Sequence, residues 1–183
     1  MDATITSHKA VSVLDPVRHA RLLQDIDHLA HTAGVAVPFI KYSMIPLCDS
    51  IEIDFVTNFR LYKATTHGLL LIGKDDDAER CFAMCGAFVR NFIDARVMTL
   101  TQVLDKAEDN AMPDPTVLII PNFYNTSFGK TLPAWKLSAL YDVLLRRGAE
   151  SRATILAMDS FTSMKLAYGA NIASYLRKFK GAE

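Results

Sequence analysis

The sequence has no excess of charge of either sign: 20 basic residues balance 20 acidic ones among 183, so the net charge is zero. A protein that bound duplex DNA mainly through phosphates would usually be more basic, which disfavours a purely electrostatic DNA binder. Cysteine is also scarce, since three residues form no even disulfide framework and suit a reducing compartment. No apolar run approaches the ~20 residues of a membrane span, and the first residues lack the apolar core of a signal peptide, which predicts a cytoplasmic protein.

Half of the residues are hydrophobic, which is ample for a buried core and argues against disorder. From residue 68 onward, short apolar runs alternate with segments of helical spacing. The predicted strands are 68–73, 95–100, 116–120 and 153–158, and the predicted helices are 78–92, 101–108, 133–147, 161–167 and 171–179. This alternation predicts a three-layer α/β fold with a parallel sheet buried on both faces.

The first 50 residues have a different character and predict an N-terminal helix with a connecting arm. Apolar residues recur at helical spacing over 11–33, with Asp15 as the expected N-cap and Gly34 as the expected stop. An irregular connection is expected over 35–50, and alternation over 51–55 predicts a short strand. We therefore expect an arm over residues 1–50 and an α/β core over 51–183.

Five segments of the core carry a family pattern in a consistent order. They are the aromatic segment 53–59, the apolar strand 69–73, the Leu-Tyr-x-x-Leu-x-x-Arg helix at 140–147, the strand at 154–157, and the Gly-x-x-Ile-x-Ser-x-Leu box at 169–176. With these segments the chain resembles the ATPase core of the DnaC/IstB group, the AAA+ helicase loaders and transposase helpers. The resemblance implies a P-loop sheet of AAA+ type and a role in DNA transactions. It also implies a protein partner, such as an AAA+ ATPase, a helicase, another DNA-processing subunit or a second copy.

The phosphate-binding loop of that family is not preserved. Such a loop needs glycines, a lysine and a hydroxyl residue, because backbone N–H groups and the lysine hold phosphates while the hydroxyl holds magnesium. At the corresponding place the sequence has Gly73, Lys74, Asp75, Asp76, Asp77, Ala78, Glu79 and Arg80. A carboxylate about 4 Å from a phosphate charge costs roughly 4 kcal/mol at an effective dielectric near 20. The loop is therefore predicted to be a degenerate nucleotide site.

The other ATP-handling positions implied by the resemblance are replaced as well. An Asp-Glu pair should follow the strand at 116–120 to hold magnesium and polarise water, but Pro121 and Asn122 stand there. The polar sensor position falls near Asp159, and the two arginines of the terminal box are Asn171 and Tyr175. These departures predict a noncatalytic, pseudo-ATPase interaction subunit that needs no cofactor or resident metal, with Asn171 and Tyr175 in a candidate interface.

Two alternative sites keep an enzymatic function open. Gly129, Lys130 and Thr131 match the end of a phosphate loop, although Tyr124 stands where its first glycine is expected. Asp75–Asp77 together with Asp159 are expected at the carboxyl ends of neighbouring strands, where magnesium could bind. Either site would imply a nucleotide- or magnesium-dependent enzyme.

Basic residues supply candidate contacts to nucleic acid, at Arg146, Arg147, Arg152, Arg177, Lys178 and Lys180. A solvated surface role is the alternative for each. The family's last strand would follow residue 183, so we expect an open sheet edge beside strand 68–73. The segment 51–55 or a partner would cover that edge.

Overall fold

The computed structural model describes residues 11–73, 78–109, 111, 113–128 and 131–181. The strands are β1 (Gly68–Ile72), β2 (Ala95–Val97), β3 (Val117–Tyr124) and β4 (Ala153–Met158). The helices are α1 (Ala20–Gln24), α2 (Ile26–Ala33), α3 (Val37–Lys41), α4 (Ser50–Thr57), α5 (Phe59–Thr65), α6 (Ala78–Arg90), α7 (Leu100–Glu108), α8 (Ala134–Ala149), α9 (Phe161–Tyr168) and α10 (Ala170–Leu176).

The four strands form one parallel sheet in the order β1-β4-β3-β2. Successive side chains of a strand point to opposite faces, and both faces are apolar here. Leu69 and Leu71 join the cluster formed with α1 to α6, whereas Leu70 joins the cluster formed with α7 to α10. The predicted three-layer α/β fold is confirmed.

The prediction of a strand over 51–55 is wrong, because these residues lie within α4. An alternation of five residues fits one turn and a half of helix as well as a strand. A capping box decides the outcome: the Asp49 side chain accepts from the N3 backbone, and the Glu52 side chain accepts from the Asp49 N–H. Helix α3 is a second correction, since its first turn accommodates Pro38 inside the segment expected to be irregular.

The expected N-terminal helix is two short helices that break at Asp25. The Asp15 carboxylate accepts N–H groups of Val17 and Arg18 at 2.8 Å, but the helix begins only at Ala20. Gly34 ends α2 in the left-handed conformation, as predicted. In the described part of the chain, no helix combines the length and apolar character needed to cross a membrane.

The outer edge of β1 is contacted by the residues after α10 rather than by segment 51–55. Lys180 bridges Leu69 in parallel: its N–H donates to Gly68 O at 3.0 Å, and its carbonyl accepts from Leu70 N–H at 2.9 Å. The Lys180 ammonium lies 2.5 Å from Asp54 Oδ2 and also contacts the Tyr62 hydroxyl. A polar clasp between α4, α5 and the C-terminal segment therefore holds this segment against the sheet.

Candidate functional site

The predicted nucleotide site lies at the carboxyl edge of the sheet, where α/β proteins collect their ligands. Strand β1 ends at Ile72, and Gly73 follows with φ of +78° while its N–H donates to Met158 O at 3.0 Å. Helix α6 begins at Ala78. The predicted order of strand, turn and helix is therefore correct. Lys74, Asp75, Asp76 and Asp77 lie outside the described residues.

The Arg80 side chain contacts the start of α4, in the layer of helices that packs on one face of the sheet. Its guanidinium lies 2.5 Å from Glu52 and 2.7 Å from Asp49, and Glu52 is only 1% exposed. Two carboxylates thus compensate the charge of Arg80 within the first turns of α4 and α6. Neighbouring Glu79 is exposed to solvent. Arg80 therefore stabilises the packing of α6 on α4. Its sequence neighbour Glu79 faces the solvent instead.

Strand β3 changes course at the place where the family has its acidic pair. Ile120 pairs with Leu156 and Tyr124 pairs with Met158, so β3 advances by four residues while β4 advances by two. Proline suits such a bulge because it has no N–H to donate to the ladder. Asn122 takes φ of +54°, a left-handed conformation that asparagine tolerates, and its side chain is exposed.

Aromatic side chains occupy this end of β3. Phe123 is fully buried, and its carbonyl accepts a hydrogen bond of 3.0 Å from the Tyr168 hydroxyl. The Tyr168 ring packs edge-on against both Phe123 and Tyr124, with centroids 5.5 and 5.3 Å apart. Burial raises the pKa of Tyr168 to about 12, so its hydroxyl stays protonated and donates at neutral pH. The two positions where carboxylates were expected therefore form the bulge, and the buried ring of Phe123 follows them and packs in the cluster formed with α7 to α10.

Asp159 follows β4 and fixes the segment after β3. Its Oδ2 accepts from Thr126 N–H at 2.6 Å and from the Thr126 hydroxyl. Desolvation would raise the pKa of Asp159, but the hydrogen bonds from Thr126 together with those from the backbone of Ser160 and Asp159 outweigh it, so the pKa is lowered. Its Oδ1 has no hydrogen-bond partner among the described residues. Asp159 thus orients the turn that leads toward the alternative phosphate loop.

Two predicted enzymatic sites are only partly described. Thr131 is exposed between β3 and α8, whereas Gly129 and Lys130 lie outside the described residues. The expected magnesium cluster needs Asp75–Asp77, which lie outside them as well. Within the described ranges, no three His, Cys, Asp or Glu side chains converge as metal ligands would.

Tyr175 does not lie in an accessible interface, which corrects the sequence prediction. It is 5% exposed, and its hydroxyl donates to Leu144 O at 2.8 Å, tying α10 to α8. The spacing of Ile172, Tyr175 and Leu176 on one helical face indicated this burial. Asn171 is exposed, so it is the member of the predicted pair that remains accessible.

The predicted nucleic-acid contacts divide into two groups. Arg147 is wrongly assigned, because it is 1% exposed and donates to the carbonyls of Pro115 and Ala153 at 3.1 and 2.7 Å. Arg152 is ion-paired with Asp114 at 2.8 Å and with Glu150. Lys180 belongs to the clasp on β1. The exposed members are Arg146, Arg177 and Lys178.

Sequence reasoning missed a large cleft with a volume of about 730 Å³. It lies at the other end of α6, and Arg60 and Arg90 belong to its lining. A signal was present in the sequence, since basic residues follow apolar ones around residues 59–61 and 88–93. Their convergence needed the packing of α4, α5 and α6, which no local pattern gives.

Comparison with known proteins shows a similarity of fold to solved structures. No protein-family profile matches the chain, and no curated protein matches it by sequence. A solved structure of a DNA replication initiation factor is similar, with a TM-score of 0.54 and 8% sequence identity. The similarity covers 76% of this chain and 48% of that protein, so the chain spans about half of its length. At this identity the match supports a P-loop-like α/β fold and carries no residue roles.

Proposed function

We propose that the protein is a noncatalytic, AAA+-like subunit of a DNA-processing complex in the cytoplasm, which acts by docking on other proteins. The observation that carries the proposal is the end of β3. Pro121 and a left-handed Asn122 stand in a bulge where magnesium binding and water activation would need carboxylates. The similarity to a replication initiation factor supports a DNA-processing context for this fold.

The surroundings of α6 support the same proposal. Arg80 directly follows the lysine position of the loop in the sequence, and its guanidinium is ion-paired with Glu52 and Asp49. Glu79, exposed beside it, adds negative charge at the start of α6. Such a start repels phosphate, so the loop side is better suited to contact a protein than a nucleotide.

Docking would use the exposed surfaces near the degenerate site. These are the loop side of α6, the exposed Asn171 of α10 and the N-terminal helices. Partners of matching chemistry are an AAA+ ATPase, a helicase or another DNA-processing subunit. Contact with DNA would then occur through the complex, with Arg146, Arg177 and Lys178 as the accessible basic residues.

Isothermal titration calorimetry of the full chain with a non-hydrolysable ATP analogue tests the loss of nucleotide handling. We expect no heat of binding at millimolar analogue, with or without Mg²⁺. Micromolar binding that disappears in a Lys130→Ala variant would transfer the function to the Gly129-Lys130-Thr131 loop and make the protein a nucleotide-dependent enzyme. Micromolar, Mg²⁺-dependent binding that survives in that variant would equally overturn the noncatalytic proposal.

The proposed docking on other proteins is tested by purifying the tagged chain from its native host. We expect a helicase, an AAA+ ATPase or another DNA-processing subunit to be retained, and an Asn171→Arg variant to retain less of it. Recovery of the chain without any such subunit would contradict the proposal. Treatment with nuclease separates direct protein contact from co-purification through DNA.

A further inference from the structure

The large cleft lies at the end of the molecule opposite to the degenerate loop. Helix α6 leaves the carboxyl edge of the sheet and runs 13 residues, about 20 Å, to Arg90 near the start of β2. There the segment before α4, the junction of α4 with α5 and the end of α6 enclose about 730 Å³. This volume lies within the range that is typical of binding sites.

Large apolar side chains are exposed around this cleft. Ile45 and Leu61 belong to its lining and are 65% and 62% exposed. A second cleft of about 320 Å³ shares Ile93 with the first and is bordered by Phe92, which is 69% exposed. Apolar surface that is continuous and bordered by polar residues is typical of protein interaction sites.

The charge of the large cleft has one sign. Its lining contains Arg60 and Arg90 and, in the described residues, no aspartate or glutamate. Nη1 of Arg90 donates to the carbonyls of Phe39, Ile40 and Tyr42 at 3.2, 3.0 and 2.7 Å, which closes the end of α3. Its Nε and Nη2 make no hydrogen bond within the described part of the chain. The three hydrogen bonds of Nη1 therefore fix the Arg90 guanidinium in the unbound protein, and Nε and Nη2 remain as donors for a carboxylate.

We propose that this cleft binds an acidic amphipathic helix of a partner protein. The apolar side of such a helix would cover Ile45, Leu61 and Phe92, and its carboxylates would pair with the guanidinium groups of Arg60 and Arg90. A small anion would leave the apolar rim in water. A basic helix would be repelled by Arg60 and Arg90, since the described lining of the large cleft has no acidic residue. Asp94 in the second cleft is ion-paired with Arg96 at 3.6 Å. The site lies at the opposite edge of the sheet from the loop side of α6, and of the proposed docking surfaces it adjoins only the N-terminal helices, through α2.

The test is a selection of the full chain against a displayed library of helical peptides in which the exposed positions are randomised. We expect the selected peptides to carry apolar residues at i, i+3, i+4 and i+7 with Asp or Glu beside them. Fluorescence anisotropy of a labelled selected peptide then gives Kd. Leu61→Asp and Arg60→Glu should each weaken binding at least tenfold, and replacing the acidic residues of the peptide by lysine should abolish it.

Two control variants, with substitutions at exposed residues away from the cleft, test whether the peptide binds at the cleft. Leu166→Asp changes an 85% exposed leucine on α9, and Arg177→Glu reverses an exposed arginine after α10, so both should leave Kd unchanged. Thermal unfolding of each variant confirms that it folds. Selected peptides that are basic, or that bind the Leu61→Asp and Arg60→Glu variants as tightly as the original chain, would overturn the proposal. So would a dimer that dissociates in Leu61→Asp, since the occupant would then be a second copy.

Discussion

Nε of Arg147 donates a hydrogen bond of 3.0 Å to Oγ1 of Thr154 inside the core, so a charged side chain joins helix α8 to strand β4. Burial lowers the pKa of Arg147 to about 10, mainly through desolvation, yet the group remains protonated at neutral pH. Its other donors reach the carbonyls of Pro115 and Ala153. The residue thus holds together the start of β3, the start of β4 and the end of α8.

Replacing Arg147 by methionine is expected to lower the free energy of unfolding by about 3 kcal/mol, because buried carbonyls lose their donors. The adjacent Arg146 is exposed, and Arg146→Met is expected to change stability by less than about 0.5 kcal/mol. Urea unfolding of both variants measures the difference. Equal stabilities for the two variants would contradict the structural role assigned to Arg147.

Gly86 is expected to tolerate no larger residue. A Cβ there would lie 2.0 Å from the Phe39 carbonyl oxygen, because α3 and α6 pack backbone to backbone at this point. Gly86→Ala should therefore destabilise the protein by about 3 kcal/mol, against the usual gain of alanine within a helix. At Gly169 there is open space around the Cβ, but φ of +89° and ψ of 168° are almost restricted to glycine, so alanine should cost about 2 kcal/mol through backbone strain alone. A Gly86→Ala variant more stable than the original protein, measured by thermal unfolding, would show that the helices can separate cheaply.

The clasp on β1 is expected to depend on pH in the acid range. Hydrogen bonds from Lys180, Tyr62 and Asn58 lower the pKa of Asp54 from its usual value of 3.8 to about 2. A carboxylate whose pKa is lowered in the folded state stabilises the fold when the pH is above the pKa of the same group in the unfolded chain. This contribution disappears as the pH falls from about 4 to 2. Asp54→Asn should therefore lower the stability of the protein at neutral pH. Between about pH 4 and 2, the stability of this variant should also depend less on pH than that of the original protein.

Amide exchange gives a local measurement of the same clasp. Leu70 N–H donates to Lys180 O, so its protection should fall in Asp54→Asn if the clasp holds the C-terminal segment in place. Asp27→Asn, an exposed position on α2, is the matched control and should leave Leu70 unchanged. Unaltered protection of Leu70 in both variants would show that the backbone pairing alone holds the segment.

The core of the fold was predictable because its signal is local. Strands buried on both faces leave continuous apolar runs such as Leu69–Leu71, and each run was followed by a helical pattern. The error at 51–55 arose from an alternation too short to distinguish the two structures. The capping box of Asp49 and Glu52 was the available evidence for a helix there.

For the candidate site, the sequence predicted which residue types occur there but not how they are arranged. The replacement of acidic residues by Pro121 and Asn122 is visible in the sequence, but the bulge that they form depends on pairing with β4. The partners of Arg80 lie 28 and 31 residues away, and Arg147 is enclosed by segments that local patterns do not connect. Long-range contacts of this kind decide which charges face solvent, and periodicity gives no information about them.

The pairing of β1 with β4 also has a consequence for how the protein reaches its native state. Leu69 pairs with Ile155, so strand β1 meets its neighbour β4 across a separation of 86 residues. High contact order of this kind slows folding, since loop closure precedes the stabilising contacts. Until then the apolar strand Gly68–Ile72 stays without a sheet, and transient species with this strand uncovered are prone to aggregate. Refolding yield should consequently fall as the protein concentration rises.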